Sequence, residues 1–283
     1  MKENIDDLKA RILRESQRLT ESQKKIANFI LQNPQILALS SVRDLEAQLG
    51  TSKATIVRLA QALGYSGFQE MRKAMLLSMR QELDPLHRFK TIINGKKEKQ
   101  NFFELIAEQS KINLQQTIKM LNPDDFERAV SLIKKSNYVF TMGMAMSQFL
   151  AQITAYLLNR VSVRSFALTY GPLNFAEQII NIGKKDLIIA FSFPPYSQET
   201  IKAAEYAKEK EIPLVAITDK PTGQILPFSD IYFLTQVDSV TMSNSMMAPL
   251  ALIYALAAQV GADLKSKTIK TIRAIDHVRK EHS

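Results

Sequence analysis

The chain has 283 residues, 46% of them hydrophobic, and a formal net charge of +9: a globular composition, long enough for one large core or two modest ones, and two domains are expected. It has no Cys and three scattered His, which excludes disulfides, thiolate metal sites and cysteine nucleophiles, argues against a His-rich metal cluster, and fits a reducing cytosol. No stretch reaches the roughly 18 uninterrupted apolar residues of a membrane span, so a cytoplasmic location without membrane contact is expected.

The first segment, MKENIDDLKARILRE, alternates charges with helically spaced Ile5, Leu8 and Ile12; it reads as an amphipathic helix without the apolar run of a signal peptide. Five helical segments follow from the pattern of residues 1–80. Thr20 to Gln23 opens the second, which ends before Pro34. Ser41 to Asp44 opens the third, with Val42, Leu45 and Leu49 on one face. Gly50 supplies a turn and Ser52 caps the fourth helix, which buries Ile56, Leu59, Ala60 and Leu63 and stops at Leu63-Gly64. Ser66 to Gln69 opens the fifth.

Two short helices joined by a Gly-containing turn form a helix-turn-helix, whose second helix lies in a DNA major groove. The residues left outside are Lys53, Ala54, Val57, Arg58 and Gln61. Arg suits guanine, Gln suits adenine, and small apolar side chains suit a thymine methyl, so Lys53, Arg58 and Gln61 are the expected base contacts. Thr51, Ser52 and Thr55, at the positive helix start, are expected on phosphates, with Tyr65 and Ser66 as further backbone contacts. Residues 51–80 carry Lys53, Arg58, Arg72, Lys73 and Arg80 against Glu70 alone. A solvated amphipathic helix has the same periodicity, but a solvent-facing strip usually carries longer side chains than Ala54 and Val57.

Residues 81–100, with Pro85, Gly95 and the run Lys96, Lys97 and Lys99, read as a linker between a DNA-binding domain at 1–80 and a second domain at 101–283. There, short apolar runs at 138–142, 161–167, 186–192, 213–218 and 231–235 alternate with helical stretches, the pattern of buried parallel strands in a doubly wound α/β sheet. Such sheets bind ligands beyond the carboxyl ends of their strands. Two loops lie there. The first, MGMAMSQ (142–148), puts Gly143 and Ser147 at a helix N-terminus; the second, SFPPYSQET (192–200), offers the hydroxyls of Ser192, Tyr196, Ser197 and Thr200. Tight turns with capping serines would look alike.

With these elements in place, the chain resembles the RpiR/MurR family of bacterial transcriptional regulators, an all-α helix-turn-helix domain followed by a flavodoxin-like sugar isomerase (SIS) domain. The resemblance spans nearly the whole chain. It rests on LTESQKKIANFILQNP, LSSVRDLEAQLGTSKATIVRLAQALGYSGFQEMR, YVFTMGMAMSQFLAQITAYLL, DLIIAFSFPPYSQETIKAAEYAKEKEIPLVAITD and SNSMMAPLALIYALAAQ. It implies a homodimer, tetramers being open, that senses a small metabolite, often a phosphorylated sugar, and alters the grip on double-stranded operator DNA. Two departures stand out. The family's Gly-x-Gly-x-Ser loop has Ala145 at its second Gly, and its Ser-x-Ser-Gly-x-Thr loop has Pro194-Pro195 at the central Ser-Gly, removing at least two donors to a phosphate. A different or unphosphorylated effector is compatible with this.

A regulator without catalytic residues, metal or cofactor is therefore expected. The rival reading is a SIS-type sugar-phosphate isomerase using Glu199 or Glu177 as base, since His87 falls in the linker and His277 and His282 on a charged C-terminal helix. A third is an interaction module whose N-terminal helices bind another helix bundle; the basic charge speaks against it.

Overall fold

The computed structural model describes residues 5–32, 37, 40–83, 101–169, 173 and 175–280. These belong to two compact units, Met1–Lys96 and Lys97–Ser283.

The first unit contains helices α1 (Ile5–Glu15), α2 (Glu21–Gln32), α3 (Val42–Leu49), α4 (Lys53–Ala62) and α5 (Phe68–Leu83). The starts of α2, α3 and α4 follow the expected side-chain signals, whereas ahead of α5 the Ser66 N–H is held by Glu70 and not by Gln69. Thr20 N–H donates to Gln23 Oε1 at 2.9 Å ahead of α2, and Ser41 and Asp44 close a reciprocal box on α3. Leu8, Ile12, Ile26, Ile30, Leu45, Ile56, Leu59, Leu63, Phe68 and Met71 form one core. Each large side chain removed from water there contributes about 1.5–3 kcal/mol. α5 runs to Leu83, three residues past the expected domain end, and buries Phe68, Met71 and Met75 in the core. The rest of the expected linker, residues 84–100 with His87 and Lys96, Lys97 and Lys99, lies outside the described residues.

The second unit begins with α6 (Phe102–Met120) and α7 (Pro123–Lys135), then runs β1 (Val139–Met142), α8 (Met146–Arg160), β2 (Ser165–Leu168), α9 (Phe175–Ile179), β3 (Leu187–Ser192), α10 (Gln198–Glu209), β4 (Leu214–Thr218), a 3-10 turn (Leu226–Phe228), β5 (Ile231–Leu234), α11 (Met247–Asp263) and α12 (Lys265–Lys280). The strands form one parallel sheet in the order β2-β1-β3-β4-β5. Alternate side chains go to opposite faces: Ile189, Phe191, Val215 and Ile217 pack with residues of α7, α8 and α11, while Ile188, Ala190 and Ala216 pack with those of α9 and α10. Every residue of β3 and β4 is buried, as expected of a sheet covered on both sides.

One expected strand moves. Residues 161–167 read as a strand, but α8 continues to Arg160, Val161 and Val163 N–H both bond back to Leu158, and Ser162 turns the chain at φ +69°. Pairing with β1 begins only at Ser165. No single helix among the described residues is long and apolar enough to cross a membrane.

Candidate nucleic-acid interface and effector site

In the first unit, α3 ends at Gly50, whose φ of +58° is the left-handed conformation that favours glycine, and whose N–H bonds back to Glu46 O. The Glu46 side chain then accepts the Lys53 N–H at 3.0 Å, and Ser52 caps α4 by accepting the Thr55 N–H at 3.2 Å. The turn is thus tied at both sides, which fixes the direction of α4.

Ile56, Leu59 and Ala60 are fully buried; Ser52, Lys53, Ala54, Arg58 and Gln61 are exposed. Three expected outward residues differ in part. Val57 is half-buried against the core, Thr51 is half-buried at the turn with its N–H on Glu46 O, and the Thr55 hydroxyl is engaged with Ser52 Oγ at 2.8 Å. The first turn of α4 itself holds no acidic residue, but its Lys53 N–H is taken by the Glu46 carboxylate and its Thr55 N–H by Ser52, so the positive charge at this end is that of the exposed Lys53 side chain.

Tyr65, expected on the DNA backbone, is instead a packing residue. It is 5% exposed, with the Arg11 guanidinium 4.6 Å above its ring, while Arg11 also donates to Leu63 O at 3.1 Å. Gly64, at φ +85°, makes the reversal that swings the ring inward. Ser66 stays exposed, and its N–H donates to the Glu70 carboxylate, which that hydrogen bonding holds below its ordinary pKa.

In the second unit β1 and β3 are adjacent, Met142 lying opposite Ala190, and the chain leaves them toward opposite ends of the sheet. That is the topological switch point, where a crevice forms outside the carboxyl ends of the strands. The loops carrying Gly143–Ser147 and Ser192–Ser197 therefore emerge side by side. Gly143 is buried, and a Cβ there would sit 2.7 Å from Ser147 Cβ and 2.8 Å from Ser147 O. This glycine is demanded by the first turn of α8. Ser147 is buried in that turn. Ala145 holds φ +52° and ψ −124°, a conformation strained for an L side chain, at the position where the family has Gly.

Ser192 ends β3 buried, its carbonyl accepting the Thr218 hydroxyl at 2.6 Å. Ser197 caps α10 by accepting the Thr200 N–H, and Thr200 is buried with no hydrogen-bond partner for its Oγ1. Tyr196, at φ +50°, donates its phenol to both carboxylate oxygens of Asp219, at 2.9 and 3.0 Å. Burial raises the Tyr196 phenol far above its ordinary value, and the Asp219 charge adds to the rise. Burial also lifts the Asp219 carboxyl above its ordinary value, more than the Tyr196 hydrogen bond lowers it.

Sequence reasoning missed two members of this site. Asp219 directly follows β4, which pairs with β3, and the rule that pointed to the first two loops applies equally to it. Asn244, which donates to Pro194 O at 2.7 Å, lies in irregular chain 50 residues away and carries no local signal.

The alternative bases fare differently. Glu199, in the first turn of α10, and Glu177, on α9, are both exposed; His277 is exposed on α12, and His87 and His282 lie outside the described residues. Among the described residues no group of three or more His, Asp or Glu could hold a metal ion. At the opposite edge of the sheet a groove of about 480 Å³ opens among α7, the end of α10 and the start of β5. Among its charged groups Arg128 pairs with Asp125 at 2.6 Å, Lys208 with Asp230 at 3.4 Å and Glu211 with Lys184.

Together the two units define a class: a DNA-binding helix-turn-helix domain joined to a doubly wound α/β domain. Comparison with known proteins narrows it. The rpiR-family helix-turn-helix domain matches residues 7–82 and the SIS domain matches residues 132–259. The chain belongs to the RpiR family of helix-turn-helix regulators with a SIS domain. It is 26% identical over 271 residues to the uncharacterized HTH-type transcriptional regulator YbbH of Bacillus subtilis, covering 93% of this chain and 94% of that one. The sugar isomerase domain of an RpiR transcription factor from Sphaerobacter thermophilus superposes with a TM-score of 0.61 at 25% identity, over 63% of this chain and 99% of that one. The Vibrio vulnificus NanR protein, solved with ManNAc-6P, has the same fold across 95% of this chain and 98% of its own, with a TM-score of 0.59 at 19% identity.

Proposed function

We propose that this chain is a cytoplasmic transcriptional regulator that reads operator DNA with α4, is controlled by a small metabolite at the switch point of its SIS unit, and has no enzymatic activity. The observation that carries the reading is the outer face of α4. Lys53, Arg58 and Gln61 stand exposed on a helix whose direction is fixed by a tied turn and whose opposite face is fully buried. Base contacts come from these three side chains, and phosphate contacts from Thr51, Ser52, Thr55 and Ser66.

The effector is a sugar, sugar phosphate or related metabolite, held by Gly143, Ser147, Ser192, Tyr196, Ser197 and Thr200. NanR's complex with ManNAc-6P supports a phosphosugar class. Pro194 and Pro195 lower the number of phosphate donors here, and the Tyr196–Asp219 pair adds hydroxyl-binding groups in their place. Ligand acts by binding one arrangement of the regulator better than another. Against an isomerase stand the exposure of Glu199 and Glu177 and the engagement of Asp219 by Tyr196.

Operator binding gains strength from a homodimer, because two half-sites act together. Exposed Met146, Phe149 and Tyr156 on α8 and Met247 and Tyr254 on α11 support a dimer formed by the SIS unit.

Selection from a random duplex library tests the DNA reading. The full chain is expected to enrich a palindromic site and the Arg58→Ala chain to lose preference at one base pair of each half-site. Enrichment of no sequence by the wild type would contradict it.

A further inference from the structure

The basic charge of the second unit is confined to its last helix. Residues 101–264 hold thirteen Lys and Arg against fifteen Asp and Glu, whereas α12 alone holds six Lys and Arg against Asp276. One face of α12 is anchored. Leu264, Thr268, Thr271 and Ile275 are half-buried, Thr268 Oγ1 donates to Gly261 O at 3.1 Å, and the Thr271 and Ser162 hydroxyls meet at 2.7 Å. The opposite face presents Ser266, Lys270 and Arg273 at successive turns, with Lys265 and Lys267 beside them, all exposed. Among the described residues none of these four cations is in an ion pair.

We infer that α12 is a second polyanion-binding surface whose partner is the phosphate backbone of duplex DNA. Several features select this occupant. A second copy of the helix would bring the same positive charge and repel the first. A lipid surface needs cations and apolar residues on separate faces, but here Ile269 and Ile272 are interleaved between Lys265 and Arg273. A phosphate lattice asks only for closely spaced cations and no complementary shape, which is what the stripe offers. The contact carries no sequence information and adds affinity for duplex of any sequence.

The test uses the full chain and a fluorescent duplex of random sequence, so it needs neither an operator nor an effector. Affinity is followed by anisotropy between about 50 and 200 mM salt. The variant is Lys265→Gln/Lys270→Gln/Arg273→Gln, which keeps helix propensity. Its control, Lys111→Gln/Lys119→Gln/Lys202→Gln, removes the same charge from exposed positions elsewhere in the unit. Each lost phosphate contact lowers the slope of log affinity against log salt by about 0.9, so three lower it by about 2.7 and shrink the loss of affinity across that fourfold salt range about fortyfold. The control is expected to keep the wild-type slope. Arg58→Ala is expected to keep the α12-dependent part of it, which separates this inference from the role of α4. A wild-type slope in the α12 variant, an equal fall in both triple variants, or α12-dependent binding to phosphatidylserine-containing vesicles but not to duplex overturns the inference.

Discussion

Replacing Gly143 by Ala tests whether the first effector loop is set by packing. The added Cβ would meet Ser147 Cβ at 2.7 Å and the Ser147 backbone at 2.8 and 2.9 Å. A flexible side chain could move aside; the backbone of the first turn of α8 cannot without lifting buried Ser147 and Leu150. Overpacking against rigid neighbours costs about 1–3 kcal/mol, and two backbone contacts put this site at about 2–3. For a unit of this size that corresponds to a melting shift of about 4–12 °C. Scanning calorimetry of the full chain checks it by following the transition of the second unit. Two glycines of the first unit calibrate the scale. Gly67→Ala meets nothing within 4 Å and is expected to be nearly neutral; Gly50→Ala also meets nothing, and its φ of +58° alone costs about 1–2 kcal/mol. A Gly143→Ala protein that melts with the wild type would refute the packing argument.

Loss of the cap in Ser52→Ala is expected to cost the first unit about 1 kcal/mol, read from urea midpoints, and to weaken DNA binding with it; unchanged stability would contradict the tied turn. Asp219 has a folded-state pKa above its ordinary 3.8, so the native chain holds the extra proton and stability falls as pH rises from that value through the folded one. Asp219→Asn removes this dependence, and its stability relative to wild type should grow as pH rises from the ordinary carboxylate value; a difference that shrinks as pH rises would count against it. Phe149→Asp, placing a charge on the exposed face of α8, is expected to shift the full chain toward monomer in sedimentation, and an unchanged species would remove α8 from the dimer contact.

Much of this was legible in residue order because the signals are local. The caps at Ser41 and Ser52, the turn at Gly50 and the inward spacing of Ile56, Leu59 and Leu63 all act within one or two helical turns. The alternation of apolar runs with helices likewise gave the parallel sheet. What escaped depends on distant partners. Tyr65 looked like a surface aromatic beside a turn, but Arg11, 54 residues earlier, covers its ring. Val161 to Arg164 have strand-like composition, yet α8 had not ended and Ser162 had to reverse the chain first. Asn244 reaches Pro194 only because the chain after β5 returns across the sheet's carboxyl edge. The hydroxyls of the second loop were visible in sequence; the Tyr196–Asp219 bond that sets their surroundings was not.

The most direct measurement of the central claim is fluorescence anisotropy of the full chain on the DNA upstream of its own gene, with unlabelled random duplex as competitor, comparing wild type with Arg58→Ala over a salt series. The account predicts specific binding that weakens steeply with salt, and a loss of about 1–3 kcal/mol in Arg58→Ala confined to the specific site. Specific binding that Arg58→Ala leaves intact would contradict the assignment of α4 as the reading helix.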